Sequence, residues 1–166
     1  MKSRKLTLIT FITLLVGTAW AQSKPAGVLP ADELKKVAPS SFFYRGQSGS
    51  VQQRNSGGIR TKDQQYVLAG LVDTSGYASA IAEKYQGFFI SEIKLNIAGS
   101  ELAPGEYGFA FGEDKFTITD VGANDVLSVS STTDKDLKHP VPLKIVEEGG
   151  EYRLYAGKKY VTLKVE

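Results

Sequence analysis

A period of two in the apolar residues is the feature that most constrains the fold of this chain. Ile93, Leu95 and Ile97 alternate with polar residues, and the same alternation returns at 107–111 and 161–165. Because successive side chains of a strand point to opposite faces, each segment has one apolar face and a second, more polar face. Half-buried strands of this kind favour antiparallel sheets that face solvent on one side.

Turn-forming residues separate these segments. Glycine adopts the positive φ angles of tight turns without strain, while Asn and Asp tolerate them and cap locally. The predicted turns lie at 55–58, 98–100, 104–105, 112–114, 122–125 and 148–150. Short strands separated at regular intervals by such turns predict an all-β fold, an antiparallel β-sandwich or partly open β-barrel of about eight strands.

One stretch departs from this pattern. Residues 66–72 are almost continuously apolar, which predicts a strand covered on both faces. Residues 73–75 then offer N-cap oxygens to an Ala-containing segment, 77–85. The large apolar residues of this segment recur every four positions, and Gly87 is placed to end a helix there. The sequence therefore predicts one short α-helix of about two turns.

The first 21 residues have the pattern of a cleavable export signal. Residues 2–5 include three basic side chains, and residues 6–17 form an apolar stretch shorter than the roughly 20 residues that span a bilayer. Ala19 and Ala21 complete an A-x-A cleavage signature before Gln22. We expect cleavage there, no membrane span afterwards, and a periplasmic or secreted protein.

Three parts of the chain are predicted from this organisation. Residues 1–21 are the signal peptide, residues 22–40 form a loosely held N-terminal arm that contains three prolines, and residues 41–166 form a single β domain. The length left after cleavage is within the usual range for one domain.

Cleavage also changes the charge balance. It removes three of the 20 Lys and Arg residues and none of the 18 Asp and Glu residues, so the remainder has a net charge near −1. The isoelectric point of 8.7 belongs to the precursor. Because the cleaved chain is close to neutral, nucleic acid and anionic membranes are disfavoured as partners. The absence of Cys excludes disulfides, thiolate metal sites and cysteine nucleophiles.

A hydrolytic site would have to use Ser48 and His139, the only histidine. Residues 46–50 lack the second Gly of the G-x-S-x-G elbow, and their flanks predict strands rather than a strand followed by a helix. With Asp134 and Asp136, His139 could also join a metal site, but a catalytic zinc site generally needs three protein ligands. A polar loop position is the favoured interpretation of His139, and a hydrolase is the least favoured function.

A glycine-containing loop with Asp120, Asn124 and Asp125 offers oxygen ligands of the kind that Ca²⁺ prefers. Its spacing is not that of an EF-hand, and the distal Glu is missing. We therefore predict a β-turn capped by these side chains rather than a calcium site.

Three arginines, Arg45, Arg54 and Arg60, surround a stretch rich in Gln, Ser and Gly. If two strands paired across that stretch, residues 46–58, the guanidinium groups could converge on a phosphate or carboxylate. The favoured alternative is that they decorate a soluble sheet edge and discourage aggregation. All three are kept as candidate ligand-binding residues.

Two tyrosines complete the candidate ligand-binding set. Tyr152 and Tyr155 lie, with Tyr160 and several basic residues, around a predicted hairpin turn at 156–157. Tyrosine faces stack on sugar rings or peptide groups, and the lysines could meet an acidic partner. Alternation more often puts one Tyr in the core and another in a cross-strand pair.

Residues 95–109, LNIAGSELAPGEYGF, resemble a hairpin phrase of small exported bacterial proteins of unknown function. The phrase is an apolar strand ending in Gly, followed by Leu-x-Pro/Ala-Gly-x-Tyr. The resemblance implies an all-β periplasmic or secreted domain, and no functional residues come with it.

The absence of a catalytic constellation in an export-targeted β domain predicts a non-catalytic binding or interaction module. We expect a monomer without cofactors whose partner is a protein, a glycan or a small ligand. The alternative is a carrier with an apolar barrel cavity, although the same aromatic residues more often fill a core. Those aromatic residues are Phe88, Phe89, Tyr107, Phe109 and Phe111.

Overall fold

The computed structural model describes residues 24–165, which form two antiparallel β-sheets packed face to face. In chain order the elements are β1 (Gly27–Val28), α1 (Ala31–Val37), β2 (Ser41–Tyr44), β3 (Gln47–Arg60), β4 (Tyr66–Val72), α2 (Ser79–Ala82), β5 (Gly87–Ser91), β6 (Leu95–Ile97), β7 (Ser100–Leu102), β8 (Gly105–Phe111), β9 (Lys115–Asp120), β10 (Asp125–Ser130), β11 (Thr132–Thr133), β12 (Val141–Glu148), β13 (Glu151–Gly157) and β14 (Lys159–Val165). The predicted signal peptide, 1–21, lies outside the described residues.

Each sheet combines strands from separate parts of the chain. The first has the order β1-β3-β4-β5-β8-β9-β10, with β2 paired to β3. The second has the order β12-β13-β14-β6-β7, with β11 paired to β14. The sheets do not close into a barrel, so the predicted all-β fold is confirmed in its sandwich form. Within residues 24–165 no helix is long and apolar enough to cross a membrane.

The main hydrophobic core lies between the sheets and follows the predicted alternation. Leu95 and Ile97 of β6, Phe109 of β8, and Val161 and Leu163 of β14 all contribute to it and are buried. The residues between them in each strand point away from this core, as the period of two requires. The half-buried strand predicted at 161–165 is confirmed, and the one predicted at 93–97 is confirmed over Leu95–Ile97. Residues 107–111 form a strand as predicted, but the prediction that one of its faces meets solvent is wrong, because Gly108 and Ala110 on the other face are also buried.

A second core covers the other face of the first sheet. Leu68 of β4 and Phe88 of β5 pack there against Leu34 of α1, Phe42 of β2 and Tyr85. Because β4 contributes Val67 and Ala69 to the core between the sheets, it is buried on both faces. The prediction for residues 66–72 is thus confirmed.

The helix predicted at 77–85 is shorter than expected. Only Ser79–Ala82 is helical, and its N-terminus has no side-chain cap. The flanking tyrosines are held by tertiary contacts instead: the Tyr77 hydroxyl donates to the carbonyl oxygens of Tyr44 and Gln47, and the Tyr85 ring stacks on Tyr44 with centroids 3.9 Å apart. Packing in the second core outweighs the helical pattern.

The N-terminal arm is fixed on the first sheet over its described part, residues 24–40. Gly27 in β1 pairs with Arg60 in β3, while Leu29 and Leu34 are buried in the second core. The prediction of a loosely held arm is therefore wrong for these residues. Within the arm, the stretch at 32–37, whose residues allow one helical turn, lies in helix α1 (Ala31–Val37).

The turn predicted at 55–58 is also wrong, because these residues lie inside the long strand β3. Gly57 faces β12, where a Cβ would lie 2.7 Å from the backbone nitrogen of Ile145. Glycine is thus needed at this position for close approach of the two sheets rather than for a positive φ. The other predicted turns lie at junctions between consecutive strands, as at Ala98 and Gly99, whose φ angles are 47° and 92°.

Candidate ligand-binding cleft

A cleft of about 470 Å³ opens between the two sheets at one end of the sandwich. Ile59 and Arg60, the last residues of β3, form one wall. Glu147 of β12 and Tyr152 of β13 form the opposite wall, and Val165 at the end of β14, in the same sheet, also lines the cleft. The cleft therefore brings together two of the predicted ligand-binding residues, Arg60 and Tyr152.

A tight hairpin turn fixes the wall that contains Tyr152. Gly149 and Gly150 have φ angles of 64° and 81°, the positive values of a two-residue turn that matches the twist of the strands. This turn pairs Glu147 directly with Tyr152. Burial raises the pKa of Tyr152, and the negative charge of Glu147 raises it further. One face of the hairpin thus presents an aromatic ring beside a carboxylate.

Arg60 forms part of the other wall, but its guanidinium group is hydrogen-bonded to the N-terminal arm. Its side chain is 4% exposed, Nη1 donates to Oε2 of Glu33 at 2.5 Å, and Nε donates to the carbonyl oxygen of Pro25 at 3.0 Å. Lys24 lies 3.2 Å from the other oxygen of Glu33. The Arg60 charge is therefore neutralised within the protein, and its main role is to lock the arm against β3.

This ion pair predicts a pH-dependent contribution to stability. The pKa of Glu33 is lowered from 4.5, first by the hydrogen bond from Arg60 and then by that from Lys24. A depressed pKa means that the stabilisation is complete above the ordinary value and is lost as the pH falls through the lowered one. We expect Glu33→Gln to lower the melting temperature at about pH 6, and the difference from wild type to shrink towards about pH 3.

Thermal unfolding of both proteins across this pH range checks the prediction. Glu101→Gln is the matched control, because it removes a carboxylate from an ion pair with Lys94 in which both side chains are more than half exposed. Its melting temperature is expected to stay close to that of wild type. A Glu33→Gln difference that is constant with pH would contradict the proposed titration.

The other two arginines lie away from the cleft. Arg45 is exposed at the β2–β3 turn, where its Nη1 donates to the carbonyl oxygen of Gly122 at 3.1 Å. Arg54 is exposed in the part of β3 where the register with β4 shifts. Since Arg45 and Arg60 flank opposite ends of a 14-residue strand, the three guanidinium groups do not converge.

Tyr155 points to the outer face of the second sheet, away from Tyr152. Its hydroxyl donates to Oδ2 of Asp134 at 2.9 Å, its ring lies 5.1 Å from that of Tyr160, and Lys144 Nζ lies 5.5 Å from its centre. Only 3% of Tyr155 is exposed. Its polar and aromatic contacts are made within the protein, which is typical of a structural network.

The remaining candidate sites of the sequence are separated or internally capped. Ser48 lies in β3 of the first sheet, whereas His139 lies in the connection between β11 and β12 of the second. The Asp120 carboxylate accepts hydrogen bonds from the backbone of Gly122 and Asn124, so the predicted capped turn is confirmed. Over residues 24–165 no cluster of three His, Cys, Asp or Glu side chains is arranged to hold a metal ion.

The aromatic residues of the carrier hypothesis do not share one space. Phe88 lies in the second core, whereas Phe89, Tyr107 and Phe109 lie in the core between the sheets. Phe111 is only partly buried against the latter. Four of these five side chains therefore fill two separate cores on opposite faces of the first sheet.

Glu147 and Val165 line the cleft but are missing from the set predicted from sequence. A two-residue turn at Gly149 and Gly150 implies that Glu147 and Tyr152 are neighbours, so the hairpin register contained this information. Val165 belongs to β14 of the same sheet, whereas no comparable signal places the end of β3 beside these residues, because that contact is made between sheets. The assignment of the cleft rests on its geometry, since neither a protein-family model, nor a curated protein, nor a solved structure matches the chain.

Proposed function

We propose that this protein is an exported, non-catalytic binding module whose ligand occupies the cleft between Arg60 and Tyr152. The observation that supports this most directly is the cleft itself. Its volume of about 470 Å³ is in the range of small-molecule sites. The export signal predicted at residues 1–21 supports a role outside the cytoplasm.

The walls of the cleft are held by contacts that exist without a ligand. Arg60 is locked by Glu33, and the connection after β3 is closed by hydrogen bonds between Thr61 and Gln65. The facing wall is fixed by the register of the β12–β13 hairpin. A site that is already in place loses little conformational entropy on binding, which favours affinity.

The chemistry of the lining supports binding rather than turnover. None of the residues that line the cleft is Ser, Cys or His. The Thr61 hydroxyl oxygen accepts a hydrogen bond from the backbone nitrogen of Gln65, and Arg60 is held by Glu33. A nucleophile next to a general base, the usual arrangement for covalent catalysis, is not formed by these residues.

Nuclear magnetic resonance titration of the protein purified after export, with a mixed library of small molecules, tests this function. Ligands are expected to shift the amide signals of Ile59, Tyr152 and Val165. Tyr152→Ala is expected to weaken a ligand found in this way about tenfold, because it removes the aromatic wall. Tyr160→Ala, a change of the same type on the outer face of the sheet, is expected to leave the affinity unchanged.

Two results would overturn the proposal. One is a library that shifts no signal at the cleft, or ligands whose affinity is the same in Tyr152→Ala. The other is hydrolytic turnover on ester, phosphate or glycoside panels that Ser48→Ala or His139→Ala abolishes.

A further inference from the structure

We infer that the described part of the N-terminal arm, residues 24–40, is released by acid: it opens as a unit at low pH while the two-sheet sandwich stays folded. Acid release is a property of the arm itself, with or without a ligand in the cleft, and goes beyond the proposed function. Three features of the arm support it: the small number of its buried side chains, the mutual dependence of its segments, and the acid that joins its charged contacts.

Few side chains of the arm are buried. Within residues 24–40 these are Leu29, Leu34 and Ala38, and most of the others are exposed. Each ordered residue loses conformational entropy, whereas a side chain gains from the hydrophobic effect only in proportion to the apolar surface that it buries. We therefore expect the docked arm to be only slightly more stable than the open arm, so that its charged contacts decide between the two states.

The segments of the arm depend on one another. Strand β1 pairs with β3 over two residues, Gly27 and Val28, and one further bond joins the amide of Leu29 to the carbonyl oxygen of Gly58 at 2.8 Å. Helix α1 has seven residues and no side-chain cap, and a helix of this length is not stable alone in water. The helix persists only while the arm is docked, so strand and helix are expected to open together.

The arm is separate from the core between the two sheets. None of the buried residues that form that core lies in residues 24–40. Leu29 and Leu34 belong to the second core instead, where a Cβ on Gly58 would lie 2.7 Å and 3.1 Å from their Cδ1 atoms. Opening of the arm therefore uncovers the surface around Gly58 and removes Ala26 from the lining of the cleft, while the main core stays packed.

Glu33 joins the charged contacts of the arm. Its Oε2 accepts a hydrogen bond from Nη1 of Arg60 at 2.5 Å, and its Oε1 lies 3.2 Å from Nζ of Lys24. Arg60 also donates to the carbonyl oxygen of Pro25, so this residue of β3 binds the beginning of the arm and helix α1 at once. Loss of the charge on Glu33 therefore weakens the attachment of both segments.

The charged and titratable groups around Glu33 set the direction of the pH effect. Arg60 of β3 and Lys24 interact with its carboxylate directly, whereas Tyr66 of β4 interacts with Arg60. The other charged residues of α1 are exposed: Asp32, Lys35 and Lys36. Arg60 first, and then Lys24, lower the pKa of Glu33, so the carboxylate keeps its charge at neutral pH. Its stabilising effect on the docked arm is lost only as the pH falls through the lowered pKa.

Hydrogen exchange of individual amides, measured by nuclear magnetic resonance on the protein purified after export, tests this release. The amides of Leu29 and Ala38, which donate to the carbonyl oxygens of Gly58 and Leu34, report on the arm, and those of the paired strands β13 and β14 report on the sandwich. From about pH 6 to about pH 3, after correction for intrinsic exchange, we expect protection of the arm to fall about tenfold, the equivalent of one hydrogen bond to a charged group. Protection of β13 and β14 is expected to change by less than about twofold.

Glu33→Gln separates this charge from the other effects of acid. At about pH 6 the variant is expected to have about tenfold lower protection in the arm, and acid is expected to lower it no further. Because this comparison needs no acid, it applies even if the sandwich itself unfolds at low pH. Glu101→Gln, which removes an exposed ion pair with Lys94, is the matched control and is expected to leave protection of the arm unchanged.

Either of two outcomes would overturn acid release. One is an equal loss of protection in the arm and in β13 and β14 of Glu33→Gln, which would make the arm part of one cooperative unit with the sandwich. The other is protection of the arm in Glu33→Gln equal to that of wild type at about pH 6. Neither outcome affects the proposed function, which the ligand titrations of the cleft test separately.

Discussion

Gly87→Ala is expected to lower the free energy of unfolding by about 3 kcal/mol or more. A Cβ at this position would overlap the carbonyl oxygen of Gly70 and come within 2.7 Å of the Phe109 ring. Gly70 belongs to β4, which pairs with β5 next to Gly87. The oxygen cannot move away without disturbing the ladder between two strands at the centre of the first sheet, so the substitution strains the backbone itself.

Denaturant unfolding followed by circular dichroism measures this loss, since the only Trp, Trp20, lies in the predicted signal peptide. Gly112→Ala is the matched control, because the nearest atom to a Cβ there is 3.7 Å away and the φ angle is not positive. Its effect is expected to stay within about 1 kcal/mol. Adding Phe109→Leu to Gly87→Ala should not restore stability, because the worst overlap is with backbone. Full rescue would contradict this explanation.

Phe109→Ala is expected to cost about 3–5 kcal/mol, the range for truncating a fully buried Phe. The Phe109 ring is completely buried between the sheets, with the centroid of Phe116 at 5.7 Å. Both rings come from neighbouring strands, so the cavity left by truncation is bounded by rigid sheet and closes only in part. The same denaturation experiment gives the loss.

Phe111→Ala provides the comparison within one strand. Phe111 also contacts Phe116, with centroids 4.7 Å apart, but its side chain is only partly buried. The loss is expected to be about half that of Phe109→Ala, because less apolar surface leaves water when this residue folds. Equal losses would mean that both rings lie in equally closed surroundings.

Local patterns predicted the strands more accurately than the irregular segments. The alternation at 93–97 and 161–165 indicates which face of each segment is buried, because the hydrophobic effect alone determines the side on which the apolar residues lie. Gly57 shows why the turn at 55–58 was wrongly predicted. Glycine serves both for positive φ and for close approach, and only the second sheet, at Ile145, decides which use applies.

The candidate site was predictable in its residue types but not in its assembly. Convergence of Arg45, Arg54 and Arg60 required a turn between them, and the continuous strand β3 removes that turn. The hairpin pattern allowed Tyr152 either to stack on a ligand or to pack in the core, and in the structure it packs on the core while also lining the cleft. Which side chain faces it depends on contacts between sheets, for which a single sequence contains no signal.

The clamp between Arg60 and Glu33 makes one wall of the cleft depend on a segment near the start of the chain. Since Arg60 holds Pro25 and Glu33 of the arm while lining the cleft, detachment of the arm would leave a buried cation without its partner. Thermodynamic linkage then couples the two events in both directions. A ligand that needs the intact wall therefore stabilises the docked arm. Conversely, protonation of Glu33 at low pH breaks its ion pair with Arg60 and lowers the affinity for the ligand, although Glu33 does not line the cleft.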